Sequence, residues 1–253
     1  MSKHDKFILT PITSVLEEAV VASYGIGKGI ESYSISDYIM QSLFLKMTGF
    51  QEQKMKCISW EMATNNYNYR RRLLSNDDNL GEHSSYKAKN TLFMKFQEVI
   101  ESLKNDTGVF DVFFSSKKKE ELRNETVDEI LMIFTNSNLA IWQEKAFDYF
   151  LKQGKTSVIS ESQFLPSKQK NQKNYQLFQT ALKEKYEVLY KQRNRLAHNV
   201  NSYQDNLPTL KALQAENEES RNYFVWFAII VLIDKIFMEL YKIYQLALDE
   251  DIY

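Results

Sequence analysis

One stretch of the sequence, residues 223–233, limits the folds that this chain can adopt. It reads Tyr-Phe-Val-Trp-Phe-Ala-Ile-Ile-Val-Leu-Ile and is followed directly by Asp234 and Lys235. A membrane-spanning helix needs about 20 apolar residues, so this stretch is too short to cross a bilayer. A helix that is apolar on all sides without spanning a membrane belongs in the middle of a protein core. The sequence therefore predicts a buried helix over about 220–248, around which the rest of the chain packs.

The elements around this helix are expected to be helices too. The chain of 253 residues has only 7 Gly and 3 Pro, whereas a β-sandwich or barrel needs a turn signal about every 8–12 residues. Apolar residues instead recur at three- and four-residue steps, which places them on one face of a helix. The stretches predicted as helices are 12–24, 36–47, 51–74, 87–103, 126–134 and 137–152. We therefore expect an all-α fold, a single helical-bundle domain over residues 1–253.

Glycines are expected to end two of these helices. Gly25, Gly27 and Gly29 follow the first helix. Their spacing lacks the Gly-Lys-Ser/Thr ending of a phosphate-binding loop, so a helix stop is the better interpretation. Gly49 is expected to end the second helix and to separate it from the third, over 51–74.

Charge and cysteine content restrict the kinds of site that the chain can hold. The 32 Lys and Arg nearly balance the 33 Asp and Glu, so a nucleic-acid site has to be a local basic patch. Cys57 is the only cysteine, which excludes an intramolecular disulfide and a cysteine-based zinc site. No H-E-x-x-H, G-x-S-x-G or C-x-x-C motif is present. We expect no metal and no cofactor and, since the polar N-terminus does not read as a signal peptide, a cytoplasmic protein without membrane association.

The most informative polar side chains lie in residues 191–199, Lys-Gln-Arg-Asn-Arg-Leu-Ala-His-Asn. They end a helix that the sequence predicts over about 172–199. Its apolar residues mark one buried stripe, made of Tyr175, Phe178, Leu182, Tyr186 and Leu189. Arg193 continues that stripe. A guanidinium on a packed face is costly unless it is paired or opens into a polar cleft or an interface, so surface charge does not explain its position.

The spacing of Arg193 and His198 sets a condition on the end of this helix. The histidine lies about 140° around an ideal helix from the arginine, so the two share a face only if the helix unwinds. The asparagines that follow favour such an end near residue 199. Asn194 is then expected to hydrogen-bond the imidazole and set its tautomer. An alternative is that Arg193 pairs with an acidic side chain of a neighbouring helix while His198 caps a carbonyl.

This arrangement resembles the signature of the HEPN family of all-helical proteins, many of which are metal-independent ribonucleases. The signature is an arginine, a polar residue directly after it and a histidine a few residues on, and Arg193, Asn194 and His198 match it. The strongly apolar helix that follows roughly twenty residues later fits the same order. The resemblance implies a bundle of HEPN type whose signature helices fall within about 126–250, with additional N-terminal helices before them.

The resemblance also implies an activity and partners. In such an enzyme the RNA 2′-hydroxyl attacks the adjacent phosphate, leaving a 2′,3′-cyclic phosphate and a 5′-hydroxyl. His198 exchanges protons and Arg193 stabilises phosphoryl charge, while Asn194 orients the histidine. Arg195 and Lys191 hold flanking phosphates. In the family two motifs meet across a two-fold axis, which implies a homodimer, and members commonly serve as toxins or antiviral defence effectors restrained by an antitoxin or regulatory protein.

A second basic stretch, residues 67–72, is a further candidate for RNA binding. Aromatic rings alternate here with Arg70, Arg71 and Arg72, and single-stranded RNA is held by stacking on flat side chains and by cations at its phosphates. The alternative is an exposed helix end whose arginines favour the negative end of the helix dipole. Two non-enzymatic interpretations also stay open: a catalytically silent helical module that binds RNA or a protein partner, and a structural adaptor with Arg193 in a core ion pair.

Overall fold

The computed structural model describes residues 3–27, 29, 32–75, 83–103, 112–166, 175–198 and 222–251, and its regular structure is helical. The α-helices are α1 (Asp5–Ile8), α2 (Ser14–Ser23), α3 (Tyr33–Asn65), α4 (Tyr67–Ser75), α5 (Tyr86–Leu103), α6 (Ser116–Phe134), α7 (Asn138–Trp142), α8 (Glu144–Gln153), α9 (Thr180–His198) and α10 (Tyr223–Asp251). A π-helical turn (Gly154–Val158) and a 3-10 turn (Glu161–Gln163) follow α8. The all-α fold class is confirmed for these residues.

Helix α10 lies at the centre of the fold, as the apolar stretch predicts. Every residue from 224 to 233 is buried, and α3, α5, α6, α8 and α9 all pack against the helix. Asn222 fixes its start, because the Oδ1 atom of this side chain accepts hydrogen bonds from the N–H groups of Phe224 (3.0 Å) and Val225 (3.3 Å). Among the described helices, none has the length and hydropathy that crossing a bilayer requires.

Helix α3 is longer than predicted, since Gly49 lies inside it and does not end it. A glycine inside a helix costs about 1 kcal/mol, and the burial of neighbouring side chains such as Met47 outweighs that cost. The break comes instead at Asn66, whose backbone is extended and whose Oδ1 accepts from the N–H of Tyr69 (2.8 Å), so that it caps α4. The predicted third helix is therefore divided between α3 and α4. Helix α2, by contrast, ends before Gly25 as expected.

The helix predicted over 172–199 starts only at Thr180, so its predicted start is wrong. Residues 175–179 are not helical. Tyr175 and Phe178 nevertheless pack against the core from this irregular segment. Their spacing resembles the apolar stripe of a helix. The backbone of this segment, however, is hydrogen-bonded to side chains of α5 and not within a helix.

Side chains of α5 hold this irregular segment. Asn90 accepts a hydrogen bond from the N–H of Leu177 (2.8 Å), and Gln97 accepts one from the N–H of Tyr175 (3.0 Å). From the other side, Leu165 donates its N–H to the carbonyl of Leu177 (2.9 Å). Amide side chains on a helix thus satisfy backbone groups that a neighbouring strand would satisfy in a sheet.

A buried ion pair ties α10 to α3. The Nζ atom of Lys54 lies 2.7 Å and 3.0 Å from the two carboxylate oxygens of Asp234, and each side chain is only 4% exposed. The same carboxylate accepts the N–H of Ile12 (3.0 Å). Burial lowers the pKa of Lys54 and raises the pKa of Asp234, while the charge of each partner opposes the shift of the other. Because burial disfavours both charges, each depends on the other.

We expect Asp234→Asn to lower the free energy of unfolding by about 3–5 kcal/mol, because it leaves the Lys54 ammonium buried without a counter-charge. The double variant Lys54→Met/Asp234→Asn should be more stable than Asp234→Asn alone, since no charge then stays unpaired. Urea unfolding followed by circular dichroism measures both. Lys242→Met removes an exposed lysine from the same helix as Asp234 and should change stability by less than about 0.5 kcal/mol. A double variant less stable than Asp234→Asn would contradict this account of the pair.

Candidate functional site

Arg193 lies where the buried face of α9 reaches a polar region beside α3. The preceding residues on this face are buried, namely Leu182, Tyr186 and Leu189. The Nη2 atom of Arg193 lies 3.5 Å from Oε2 of Glu52 on α3, with 25% of the arginine side chain and 14% of the glutamate side chain exposed. Its Nη1 atom donates a hydrogen bond to Oδ1 of Asn194 (3.1 Å). Arg193 is therefore paired and also a quarter exposed.

Helix α9 is regular through His198, the last residue described there, so the helix itself sets Arg193 and His198 about 140° apart around its axis. The unwinding predicted near residue 199 lies outside the described residues, and so does the side chain of His198. The side-chain oxygen Oδ1 of Asn194 accepts its hydrogen bond from the Arg193 guanidinium. The closeness of Arg193 to His198, and the contact of Asn194 with the imidazole, stay predictions.

Lys191 and Arg195 are exposed at the same end of α9. They are four residues apart, so they lie on one face of the helix, one turn from each other. Both charged groups are open to solvent. Cations that bind the flanking phosphates of an RNA strand need this exposure.

A buried lysine, which the sequence analysis missed, lies near Arg193. The Nζ atom of Lys89 is 3.5 Å from Sδ of Met55 and 5.8 Å from the centre of the Tyr186 ring, and the residue is 2% exposed. Burial lowers the pKa of Lys89 to about 7; the Glu52 carboxylate opposes this shift and the Arg193 guanidinium adds to it. The group therefore changes charge near neutral pH.

The sequence does contain a signal for Lys89. It lies four residues before Phe93 and seven before Phe96, so it falls on the apolar face of α5 in the same way that Arg193 falls on the apolar face of α9. Glu52 carries no comparable signal, because its role depends on a contact between helices far apart in the chain.

Glu52 joins these groups into one polar cluster. It pairs with Lys56 one turn along α3 (3.1 Å) as well as with Arg193, and its charge acts on Lys89. We call Glu52, Lys56, Lys89, Arg193 and Asn194 the Glu52 cluster. One carboxylate here faces three basic side chains, so the cluster has a surplus of positive charge, which an anion would complement.

His83, in the short segment before α5, lies next to the Glu52 cluster. Its Nε2 atom is 3.3 Å from Oγ of Ser59 on α3. Burial, followed by the Lys89 charge, lowers the pKa of His83 to about 4, so the imidazole is neutral near pH 7. Within the described residues, its Nδ1 atom has no hydrogen-bond partner.

The basic stretch on α4 is exposed, but it offers less aromatic surface than the sequence suggests. Arg70, Arg71 and Arg72 are all exposed. The guanidinium carbon of Arg70 lies 5.6 Å from the centre of the Tyr67 ring, and Arg72 donates a hydrogen bond to Glu98 of α5 (3.1 Å). Tyr69 is buried, so Tyr67 is the ring of this pair that can stack on a ligand.

Comparison with protein-family models, with curated proteins and with solved structures gave no match. The similarity to the HEPN family therefore rests on Arg193, Asn194 and His198 and on their place in the chain. Among the described residues, no three His, Cys, Asp or Glu side chains are grouped closely enough to hold a metal ion.

We expect Lys89→Met to stabilise the protein more at about pH 6 than at about pH 9. In the unfolded chain the lysine keeps its ordinary pKa of 10.5 and is protonated at both pH values; in the folded protein its pKa is about 7. In the folded protein Lys89 is therefore a buried ammonium at pH 6 and a neutral amine at pH 9. The free-energy cost of burying Lys89 is larger at the lower pH, so Lys89→Met removes a larger cost there.

Urea unfolding at the two pH values measures this difference, and the remaining titratable groups cancel in the comparison with the wild type. Lys242→Met, at an exposed lysine, should have the same small effect at both. An equal effect of Lys89→Met at both pH values would show that the Lys89 pKa is not depressed.

Proposed function

We propose that this chain is an endoribonuclease of HEPN type that cleaves RNA without a metal, using Arg193, His198 and Asn194. The observation that carries the proposal is the setting of Arg193. Its guanidinium lies at the end of a packed helix face, held by Glu52 and Asn194, with a quarter of the side chain exposed. Such a guanidinium is suited to bind a phosphate, because it has little conformational freedom left to lose.

The Glu52 cluster supports an anionic substrate. The Arg193 charge helps to lower the pKa of Lys89, which means that these two cations repel each other. A phosphate at Arg193 would bring negative charge to the place where this repulsion acts, and the complex would gain stability. Lys191 and Arg195, both exposed, extend the positive surface to the flanking phosphates.

The proposed chemistry follows from the residue types. The 2′-oxygen bonds to the adjacent phosphorus as its proton leaves, and the bond to the 5′-oxygen breaks as that oxygen takes a proton. His198 is the side chain whose ordinary pKa allows it to exchange these protons near neutral pH. Arg193 stabilises the charge on the non-bridging oxygens. Glu52 acts as a positioning residue, because it holds the guanidinium and does not touch the RNA.

A homodimer belongs to the same proposal. One His198 does not serve both proton transfers at the same moment, and one arginine with one histidine is a small site for a phosphodiester. Two α9 ends that meet across a two-fold axis would supply both pairs. The biological role that fits such an enzyme is a cytoplasmic toxin or an antiviral defence effector, restrained by an antitoxin or a regulatory protein.

The Arg193–Glu52 ion pair also favours a second candidate, a helical adaptor in which Arg193 is purely structural. In that case the pair only offsets the cost of a guanidinium on a packed face. An adaptor has no cleavage to lose, and a catalytically silent RNA-binding module would retain RNA without cutting it. Product chemistry therefore separates the nuclease from both alternatives, and an RNA gel shift separates the RNA-binding module from the adaptor.

We expect the protein to cleave single-stranded RNA in the presence of EDTA and to leave 2′,3′-cyclic phosphate ends, which mass spectrometry identifies. His198→Ala should lower the rate about 10²–10⁴-fold, because it removes the proton-transfer group. Arg193→Lys should also lower the rate, because an ammonium does not reproduce the two-pronged contact of a guanidinium with phosphate. Circular dichroism should show that both variants remain folded.

Two results would count against this site. Cleavage that stops with EDTA and persists in His198→Ala would place the active site elsewhere in the chain. An absence of cleavage in the wild type, together with a loss of stability in Arg193→Lys, would support the adaptor.

We expect a homodimer at micromolar concentration, with a mass of twice 29.8 kDa by light scattering. In a Cys57→Ser background, Ala197→Cys at the exposed end of α9 should form a disulfide between two chains, because the proposed two-fold axis would pass near this point. Val188→Cys, exposed but in the middle of the same helix, is the matched control and should not. A monomer that cleaves RNA at full rate would rule out the shared site.

A further inference from the structure

A groove between α3 and α4 lies beyond the Glu52 cluster. Its volume is about 540 Å³, within the usual range for small-molecule sites. Apolar walls come from Trp60, Leu73 and Leu74, and polar walls from Lys56, Arg70 and His83. None of the described residues that line it is acidic. Apolar walls together with two cations fit a ligand that has a flat apolar part and a negative charge.

Trp60 supplies a stacking surface. It is 66% exposed, which is unusual for so large an apolar side chain in a folded protein. The indole and the His4 ring meet nearly at right angles, with 6.5 Å between their centroids, and His4 in turn is hydrogen-bonded to Glu61 (2.6 Å). An exposed ring that is held in place suits a nucleobase, because every base has a π face that stacks on an aromatic side chain.

Arg70 and Lys56 supply the positive charge. The Arg70 guanidinium lies over the Tyr67 ring, a contact that orients its plane while its N–H edge can still donate. Lys56 reaches the groove from the other side, with 36% of its side chain exposed. Two cations, one from each helix that forms the groove, fit the negative charge of a single phosphate.

His83 adds a neutral polar contact. Its Nε2 atom is held by Ser59, and in the described part of the chain the Nδ1 atom has no hydrogen-bond partner. A buried ring nitrogen of this kind is costly unless a ligand or water satisfies it.

The groove and the Glu52 cluster are continuous along α3. Lys56 belongs to both, since it pairs with Glu52 and also lines the groove. From Glu52 to Ala63 the helix rises roughly 16 Å. A strand whose phosphate lies at Arg193 therefore has a path along one side of α3 into the groove.

We propose that this groove binds one nucleotide unit, with the base stacked on Trp60 and the phosphate held by Arg70 and Lys56. The inference rests on the proposed function where it names an RNA strand as the source of that unit. A free nucleoside monophosphate is the other source of the same chemistry, and the experiment separates the two.

Isothermal titration calorimetry of the full chain tests the groove with three probes. These are adenosine 5′-monophosphate, ribose 5-phosphate, and a short single-stranded RNA with 2′-O-methyl groups, which is not cleaved because its nucleophile is blocked. The nucleotide should bind more tightly than the ribose phosphate, because only the nucleotide has a base. Tighter binding of the RNA identifies a strand as the natural source, and equal binding identifies the free nucleotide.

Two pairs of variants locate the binding site. Trp60→Leu keeps apolar bulk but removes the flat ring, so nucleotide binding should weaken roughly 5- to 150-fold, whereas Trp60→Phe should retain most of it. Arg70→Gln should weaken binding severalfold. Lys46→Gln removes a cation from an exposed position of α3 that does not line the groove, and should leave nucleotide binding unchanged.

Several outcomes would overturn the inference. Ribose phosphate that binds as tightly as the nucleotide would make this a phosphate site without a base. Nucleotide binding unaffected by Trp60→Leu and Arg70→Gln would place the ligand elsewhere. Decanoate that displaces the nucleotide and binds Trp60→Leu equally well would assign the groove to apolar anions.

Failure of the groove and failure of the proposed function give different results, because none of these probes is cleaved. Nucleotide binding in a protein that never cuts RNA would leave the groove in place and remove the nuclease. RNA cleavage without nucleotide binding, and with unchanged rates in Trp60→Leu and Arg70→Gln, would retain the nuclease and remove the groove.

Discussion

The Lys54–Asp234 ion pair decides how α3 and α10 lie against each other. Both charges are buried, so a shift of either helix by one turn would leave a buried charge without its partner, at a cost of about 3–5 kcal/mol. The Asp234 carboxylate also accepts the N–H of Ile12, which anchors the segment before α2 at the same point. The Lys54–Asp234 contact therefore fixes the position of α3 along α10 and its rotation about its own axis. The positions of the other polar side chains of α3 depend on both.

The candidate site lies on the other side of α3 from this anchor. Glu52 and Lys56 are each two residues from Lys54, so they point roughly 160° away from it around the helix. On that side Glu52 meets Arg193 of α9 and acts on Lys89 of α5. Helix α3 thus carries the buried Lys54–Asp234 ion pair on one side and Glu52 and Lys56 of the Glu52 cluster on the other. Packing around the ion pair limits how far these two cluster residues can move.

The sequence predicts those features that depend on local pattern. The central position of α10 and the helical character of the chain follow from apolar spacing, and so does the place of Arg193 on an apolar helix face. The prediction omits Lys89, although the same spacing puts it on the apolar face of α5. The sequence does not predict that Glu52 is the partner of Arg193, because that contact joins residues far apart in the chain. The continuity of α3 through Gly49 is also missed, since the cost of one glycine is small beside the burial of its neighbours.

The irregular segment 175–178 affects how the protein opens in solution. Three of its N–H groups are bonded to side chains of α5: Tyr175 to Gln97, Leu177 to Asn90, and Phe178 to the hydroxyl of Tyr86. A strand in a sheet is protected by a ladder of backbone bonds, but these N–H groups are protected only while α5 stays docked. Amide hydrogen exchange in this segment therefore reports the undocking of α5, and not the unwinding of α9, which directly follows it in the chain.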